Sequence, residues 1–162
     1  MSKLKKINKK IVQLPSLLTF LTEYRKEEKK IVFTNGCFDI LHLGHIEYLA
    51  KAADLGDILV VGLNTDKSVK IIKGNDRPIN NQNARASLLA SLFFVDYVVL
   101  FDENTPENLI KIIMPNILVK GKDYELKEIV GADEVIKNGG KVHTIELTEG
   151  FSTTNLIKKT NG

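Results

Sequence analysis

The chain has 162 residues, 43% of them apolar and 27% charged, with a formal net charge of +3. These values fit a single globular domain with a sizeable core and leave little room for a second one. Five of the 23 basic residues (Lys3, Lys5, Lys6, Lys9 and Lys10) lie in the first ten positions. The remainder is close to neutral, so the chain offers no broad basic face for a nucleic acid. The one cysteine, Cys37, excludes an intrachain disulfide. No run approaches the roughly 18 apolar residues of a membrane span. A cytoplasmic protein with no nucleic-acid or membrane partner is therefore expected.

In chain order, the lysine-rich start reads as a solvated tail. Residues 11–21 follow as an amphipathic helix with Pro15 in its first turn, so that 1–29 form a basic tail and N-terminal helix ahead of a domain spanning 30–162. Residues 30–35 (KIVFTN) read as a strand closed by Asn35-Gly36, and 43–56 as a helix with Ile46, Leu49, Ala50 and Ala53 at helical spacing. Residues 57–64 (DILVVGLN) are a near-continuous apolar run, the pattern of a strand covered on both faces. A short helix over 65–72, a Gly/Pro-punctuated loop over 73–80 and a helix over 83–94 come next. In that last helix Leu88, Leu89, Leu92 and Phe93 are expected to face inward. Strands at 96–101, 116–120 and 141–147 alternate with helices at 105–114 and 132–138, and a helix over 152–159 closes the chain. This βαβαβαβαβ order predicts a three-layer α/β sandwich, a five-stranded parallel sheet with helices on both faces. Ligands in such folds bind beyond the carboxyl ends of the strands, where strand order reverses.

The loop after the first strand is the richest in chemistry. Asn35-Gly36-Cys37-Phe38-Asp39 leaves the strand and His42-Leu43-Gly44-His45 opens a helix. Histidines at i and i+3 share one helical face, beside unpaired N–H groups and the positive end of the helix dipole. Gly44 removes a side chain where a phosphate would approach. Imidazole donors so placed suit phosphoryl chemistry. Two other readings compete. A metal pair would need a third ligand at a familiar spacing, and none is seen, so no protein-held metal is expected. A pair used only for packing or capping would have to account for both rings and the glycine at the mouth of this loop. Cys37 has no neighbouring base and reads as a small residue against the core. His143, within a strand, reads as structural.

The string TNGCFDILHLGH resembles the opening motif of the HxGH cytidylyltransferase-like superfamily, and Thr148-Glu149-Gly150-Phe151-Ser152-Thr153-Thr154 resembles its second motif. Further similarity lies in Lys73-Gly74, Arg77-Pro78-Ile79-Asn80, Val95–Val99, Leu118–Tyr124, Ile129-Val130-Gly131 and Gly139-Gly140, all like the heptose-phosphate adenylyltransferase branch of that superfamily. The glycerol-3-phosphate cytidylyltransferase branch usually carries arginine where this chain has Leu147 and Phe93, and Lys122 stands where glycine or alanine is more usual. The resemblance runs over about residues 15–160 and implies a complete, stand-alone enzyme with a Rossmann-like fold. It implies transfer of AMP from ATP, with Mg²⁺, to D-glycero-β-D-manno-heptose 1-phosphate, a sugar 1-phosphate, for lipopolysaccharide inner-core synthesis, and a homodimer. Two alternatives stand beside it: a cytidylyltransferase acting on glycerol 3-phosphate or a related polyol phosphate, and a non-catalytic nucleotide-binding regulatory module.

The resemblance also implies site roles. His42, His45 and Lys73 are the expected catalytic residues. The nucleotide is expected on Asn35, Gly36, Cys37, Phe38, His42, Gly44 and His45, on Gly121 and Asp123, and on Phe151, Ser152, Thr153 and Thr154. The acceptor side is expected to use Asp39, Asp66, Lys73, Arg77 and Arg85, with Lys70 a rival to Lys73. Asp39 and Asp66 read equally as caps of the turns that follow them. Arg85 reads either as a phosphate ligand or as an exposed ion pair.

Overall fold

The structure, a computed structural model, describes residues 1–122 and 128–147. Its core is a parallel sheet of β1 (Ile31–Gly36), β2 (Ile58–Asn64), β3 (Tyr97–Phe101), β4 (Ile117–Gly121) and β5 (Lys141–Ile145). Their order in space is β3-β2-β1-β4-β5, every neighbouring pair parallel. The sequence-based expectation of a Rossmann-like parallel sheet matches this topology.

Period-two alternation explains why the strands are apolar throughout. Ile31 and Phe33 of β1, with Ile58 and Val60 of β2, enter a core on one face. Val32, Leu59, Val61 and Leu63 point to the opposite core. The first face is covered by α2 (Leu14–Lys26) through Leu17 and Leu21, by α6 (Glu107–Ile113) and by α7 (Ala132–Lys137). The second is covered by α3 (Leu43–Ala53) and α5 (Gln82–Ser91). α4 (Asp66–Lys73) follows β2 directly, with Thr65 accepting a capping bond from the Ser68 amide at 3.3 Å.

Three local expectations change. Residues of the lysine-rich start, read as a solvated tail, form the helix α1 (Lys3–Asn8). Its lysines stay in water, but Ile7 and Ile11 pack against the second core. Val12 donates to the Val98 carbonyl at 3.0 Å and Val98 donates to the Lys10 carbonyl at 2.8 Å, so this segment covers the outer edge of β3. In α5 the buried stripe is Arg85, Ala86, Leu89 and Ala90. Leu88, still helical, lies off that stripe and is 43% exposed, and Phe93 is 88% exposed because the helix stops at Ser91 and Leu92 turns extended before Phe93 is reached. β5 ends at Ile145, two residues early, and the expected closing helix lies outside the described residues.

β1 and β4 pair only at Val32–Ile117 and Phe33–Leu118. Beyond those residues the two strands separate. Strand order reverses at this junction, which is where a sheet of this kind opens a crevice.

Gly62, central in β2, tests how tightly the first face is packed. A Cβ there would meet the Phe33 ring at 2.8 Å and Leu109 at 3.2 Å. Gly62→Val is expected to lower unfolding stability by about 1–3 kcal/mol through overpacking, measured by urea denaturation. An unchanged midpoint would show that the Phe33 layer can yield.

Candidate active site

The crevice is lined by the loop from β1 to α3. Gly36 has no side chain because the Phe38 ring folds back over it, and an added Cβ would lie 2.9 Å from that ring. Phe38 itself adopts a φ of 43°, a left-handed conformation that costs a bulky residue on the order of 1–3 kcal/mol. The strain buys a placement: the buried Phe38 ring meets the His45 ring edge-on, with centroids 5.1 Å apart.

His42 is the N-cap of α3. Its Nδ1 accepts from the His45 backbone amide at 3.3 Å. An accepting Nδ1 puts the proton of the neutral ring on Nε2, which leaves Nε2–H as a donor. The His42 and His45 rings stack at 3.7 Å between centroids and 20° between planes. Burial pushes the His42 imidazole below its ordinary value. His45 is pushed down to about 4, chiefly by burial, with the charges of His42 and Lys73 adding to the effect and the Ile40 carbonyl opposing it. Its Nδ1 is buried without a hydrogen bond of normal length and angle. At neutral pH the pair is uncharged. Gly44 is buried in the first turn between them.

Lys73, at the end of α4, is exposed, yet its charge lowers both His45 and Cys37. The Cys37 thiol is pushed up, burial outweighing the cations Lys73, Arg85 and Arg77 around it, and its Sγ lies 3.9 Å from Asn64 Oδ1. This fits a small residue against the core. Asn35 Oδ1 accepts from Lys120 Nζ, a bond that crosses the gap between β1 and β4. Lys120 lies in the 118–124 stretch that carries the resemblance, but its contact with Asn35 depends on strand order and leaves no local pattern.

The carboxylates and arginines are engaged with one another and with backbone. Asp39 is 2% exposed. Its oxygens accept from Arg77 Nε at 2.6 Å, from the Ile79 amide at 2.8 and 3.0 Å and from the Asn80 amide at 2.9 Å. Burial alone would raise this carboxyl, but the Asn80 and Ile79 amides and Arg77 outweigh it and hold it below the usual carboxylate range. Asp66 receives Arg85 Nη2 at 2.8 Å. Arg85 is fully buried rather than an exposed ion pair, and each of its three nitrogens is engaged. Nε donates to the Asn80 carbonyl at 3.0 Å and Nη1 to the Cys37 carbonyl at 2.6 Å. Arg77 keeps one terminal nitrogen, Nη2, buried and without a hydrogen-bond partner.

Thus His42, Gly44 and His45 share the start of α3, just after Asn35 and Gly36 end β1, with the Lys73 charge felt at His45 and the Arg77 charge at Cys37. Gly121 ends β4 on the far side. Asp123, Phe151, Ser152, Thr153 and Thr154 lie outside the described residues. Among the described residues no cluster of three or more His, Cys, Asp or Glu side chains is placed to hold a metal ion, and no helix is long and apolar enough to cross a membrane.

Comparison with known proteins identifies relatives of this chain. The family profile described as cytidylyltransferase-like matches residues 33–159. The bifunctional protein HldE of Campylobacter jejuni subsp. doylei is 56% identical over 151 residues, 93% of this chain and 31% of that protein. The bifunctional protein HldE of a Nitratiruptor species is 59% identical over 137 residues, 85% of this chain and 29% of that protein. The chain therefore spans roughly a third of the length of the curated relatives it matches. Among solved structures, the lipopolysaccharide core biosynthesis protein from Thermoplasma volcanium is similar, with a TM-score of 0.61 and 33% identity over 74% of this chain and 97% of that one. A pantoate-beta-alanine ligase from Francisella tularensis shares the fold, with a TM-score of 0.57 at 16% identity over 93% of this chain and 76% of that one. With most of its length matching the profile, and one such relative nearly covered, the chain belongs to the cytidylyltransferase-like family.

Proposed function

We propose that this chain transfers AMP from ATP to D-glycero-β-D-manno-heptose 1-phosphate, forming ADP-heptose and pyrophosphate. The observation that carries the reading is the stacked His42–His45 pair at the N-terminus of α3, on the loop that follows β1 at the switch in strand order. The heptose acceptor is supported by the sequence resemblance around 73–80 and 118–124, and by the likeness to a protein of lipopolysaccharide core biosynthesis.

The acceptor's phosphate oxyanion attacks the α-phosphorus of ATP, a P–O bond forms, and the bond to the departing pyrophosphate breaks. No protein nucleophile or general base is needed, since the attacking oxygen is already ionised. The protein's task is to align the two phosphates and stabilise the added negative charge. His42 Nε2–H and the His45 ring supply neutral donors, and the first α3 amides add theirs. Lys73 and Arg77, with its unpartnered Nη2, serve the phosphates. The Asp39 and Asp66 carboxylates are already taken by arginines, so the described residues do not fit a protein-held metal. Mg²⁺ enters as part of the substrate, MgATP. In this reading the protein works in the cytoplasm, with its nucleotide and sugar phosphate, and as a homodimer. A monomer at micromolar concentration in sedimentation velocity would remove the dimer from it.

The test is a pyrophosphate-release panel of ATP and CTP against heptose 1-phosphate and glycerol 3-phosphate. Release with ATP and the heptose is expected to dominate. Faster turnover with CTP and glycerol 3-phosphate would replace the proposal by the polyol-phosphate reading. Nucleotide binding without release from any acceptor would make the chain a regulatory module. His42→Ala and His45→Ala should each lower kcat by about a hundredfold or more, the cost of one lost transition-state donor, with folding intact by circular dichroism. Near-normal turnover in either would remove that histidine from the reaction.

The neutral state of His45 also sets an acid signature. An unfolded chain protonates this imidazole near its ordinary value, the folded one only at about 4. The stability it contributes is therefore present above the ordinary histidine value and declines as pH falls toward about 4. His42 acts in the same direction. Urea midpoints measured from pH 7.5 to 4.5 should fall for the wild type and fall less steeply for His45→Gln. Parallel slopes would contradict the burial of this ring.

A further inference from the structure

Resting on the adenylyl-transfer reading, we propose that Arg85 is the positioning residue of this site: its buried guanidinium locks the β1–α3 loop, the 77–80 turn and the start of α4 into one frame. It is not an anion ligand. Each nitrogen is assigned to a different segment, Nη1 to the Cys37 carbonyl, Nε to the Asn80 carbonyl and Nη2 to Asp66. The side chain is fully buried, and a phosphate would have to displace one of these partners to reach it.

The frame continues outward through Asn80. Its amide donates to Asp39 Oδ1 at 2.9 Å and its side-chain Nδ2 to the Asp39 carbonyl at 2.9 Å, while Asp39 in turn holds Arg77 Nε. One connected chain therefore runs from Asp66 through Arg85, Asn80 and Asp39 to Arg77. It also has a branch toward the histidines. Cys37, whose carbonyl Arg85 grips, precedes the left-handed Phe38, and the Phe38 ring abuts His45. Arg85 thus connects the residues serving the acceptor phosphate to the imidazole pair without touching substrate. Lysine cannot reproduce this, since a single ammonium nitrogen cannot meet three divergent acceptors.

The experiment compares Arg85→Lys, Asp66→Asn and the double variant by two readouts. The first is kcat and KM for ATP from pyrophosphate release with heptose 1-phosphate. The second is the titration of the His45 imidazole by NMR, whose charged neighbours His42 and Lys73 are left in place. Arg85→Lys is expected to lower kcat by about ten- to a hundredfold through misplacement, with KM for ATP changed by less than about threefold. The His45 midpoint should rise from about 4 toward its ordinary value as water reaches the loosened Phe38–His45 contact. Asp66→Asn should move both readouts the same way by less, and the double variant should lose no more than Arg85→Lys alone. A raised KM for ATP with kcat preserved would overturn the proposal in favour of direct phosphate contact, as would additive losses in the double variant. Should Arg85→Lys not fold, Asp66→Asn decides alone: a shifted His45 midpoint supports the frame, and an unshifted one overturns it. If the wild type releases no pyrophosphate with any acceptor, the transfer reading fails, while the His45 titration still decides whether Arg85 frames the pair.

Discussion

A guanidinium cannot shed its charge, so burying one is tolerable only if its donors are met. Arg85 meets this condition with two backbone carbonyls and one carboxylate drawn from three separate segments. The consequence runs both ways. The arginine is stable only when the β1–α3 loop, the 77–80 turn and the α4 start are all in place. Those segments, short of regular structure, gain from it the partners that their polar groups would otherwise lack. The conformation of the loops on this edge is therefore cooperative.

The sheet supplies what the loops need to stand on. Both faces of β1 and β2 are buried, so neither strand can slip by one residue without driving a row of apolar side chains into the wrong core. That fixes where β1 ends, and with it where Gly36 and Phe38 turn. The early parting of β1 from β4 opens the crevice, and Lys120 reaching Asn35 spans it at its floor. Strain at Phe38 is sustained because the ring is gripped by the core below and His45 above.

What could be read from the chain follows from how local each cause is. The continuous apolar run at 58–64 needs no tertiary knowledge to be a buried strand, and His42-Leu43-Gly44-His45 declares a helix start with two imidazoles on one side. The α1 segment was hidden because five lysines mask Ile7 and Ile11, whose burial depends on β3 lying beside them. Phe93 was misplaced because helical spacing was carried past Ser91, where the backbone turns extended. The roles of Asp39, Asp66 and Arg85 were the least legible. Apart from Asn80, five residues before Arg85, their partners lie 19 to 48 residues away, and a carboxylate aimed at a distant backbone amide leaves no mark on its neighbours.

The neutral stacked imidazoles now have a chemical logic. Two rings 3.7 Å apart repel if both carry charge, so the resting pair holds at most one proton beyond neutrality. A permanently cationic pair would hold a polyphosphate ground state as strongly as the transition state, which lowers KM without speeding the step. Neutral donors kept uncharged by burial respond instead to charge as it develops. On the proposed reaction, Lys73, exposed at the end of α4, would supply the long-range attraction that brings the polyphosphate in. The fixed charges of Asp39, Asp66 and Arg85 are engaged in holding geometry, and on the proposed reaction that leaves the imidazoles to answer the charge as it develops.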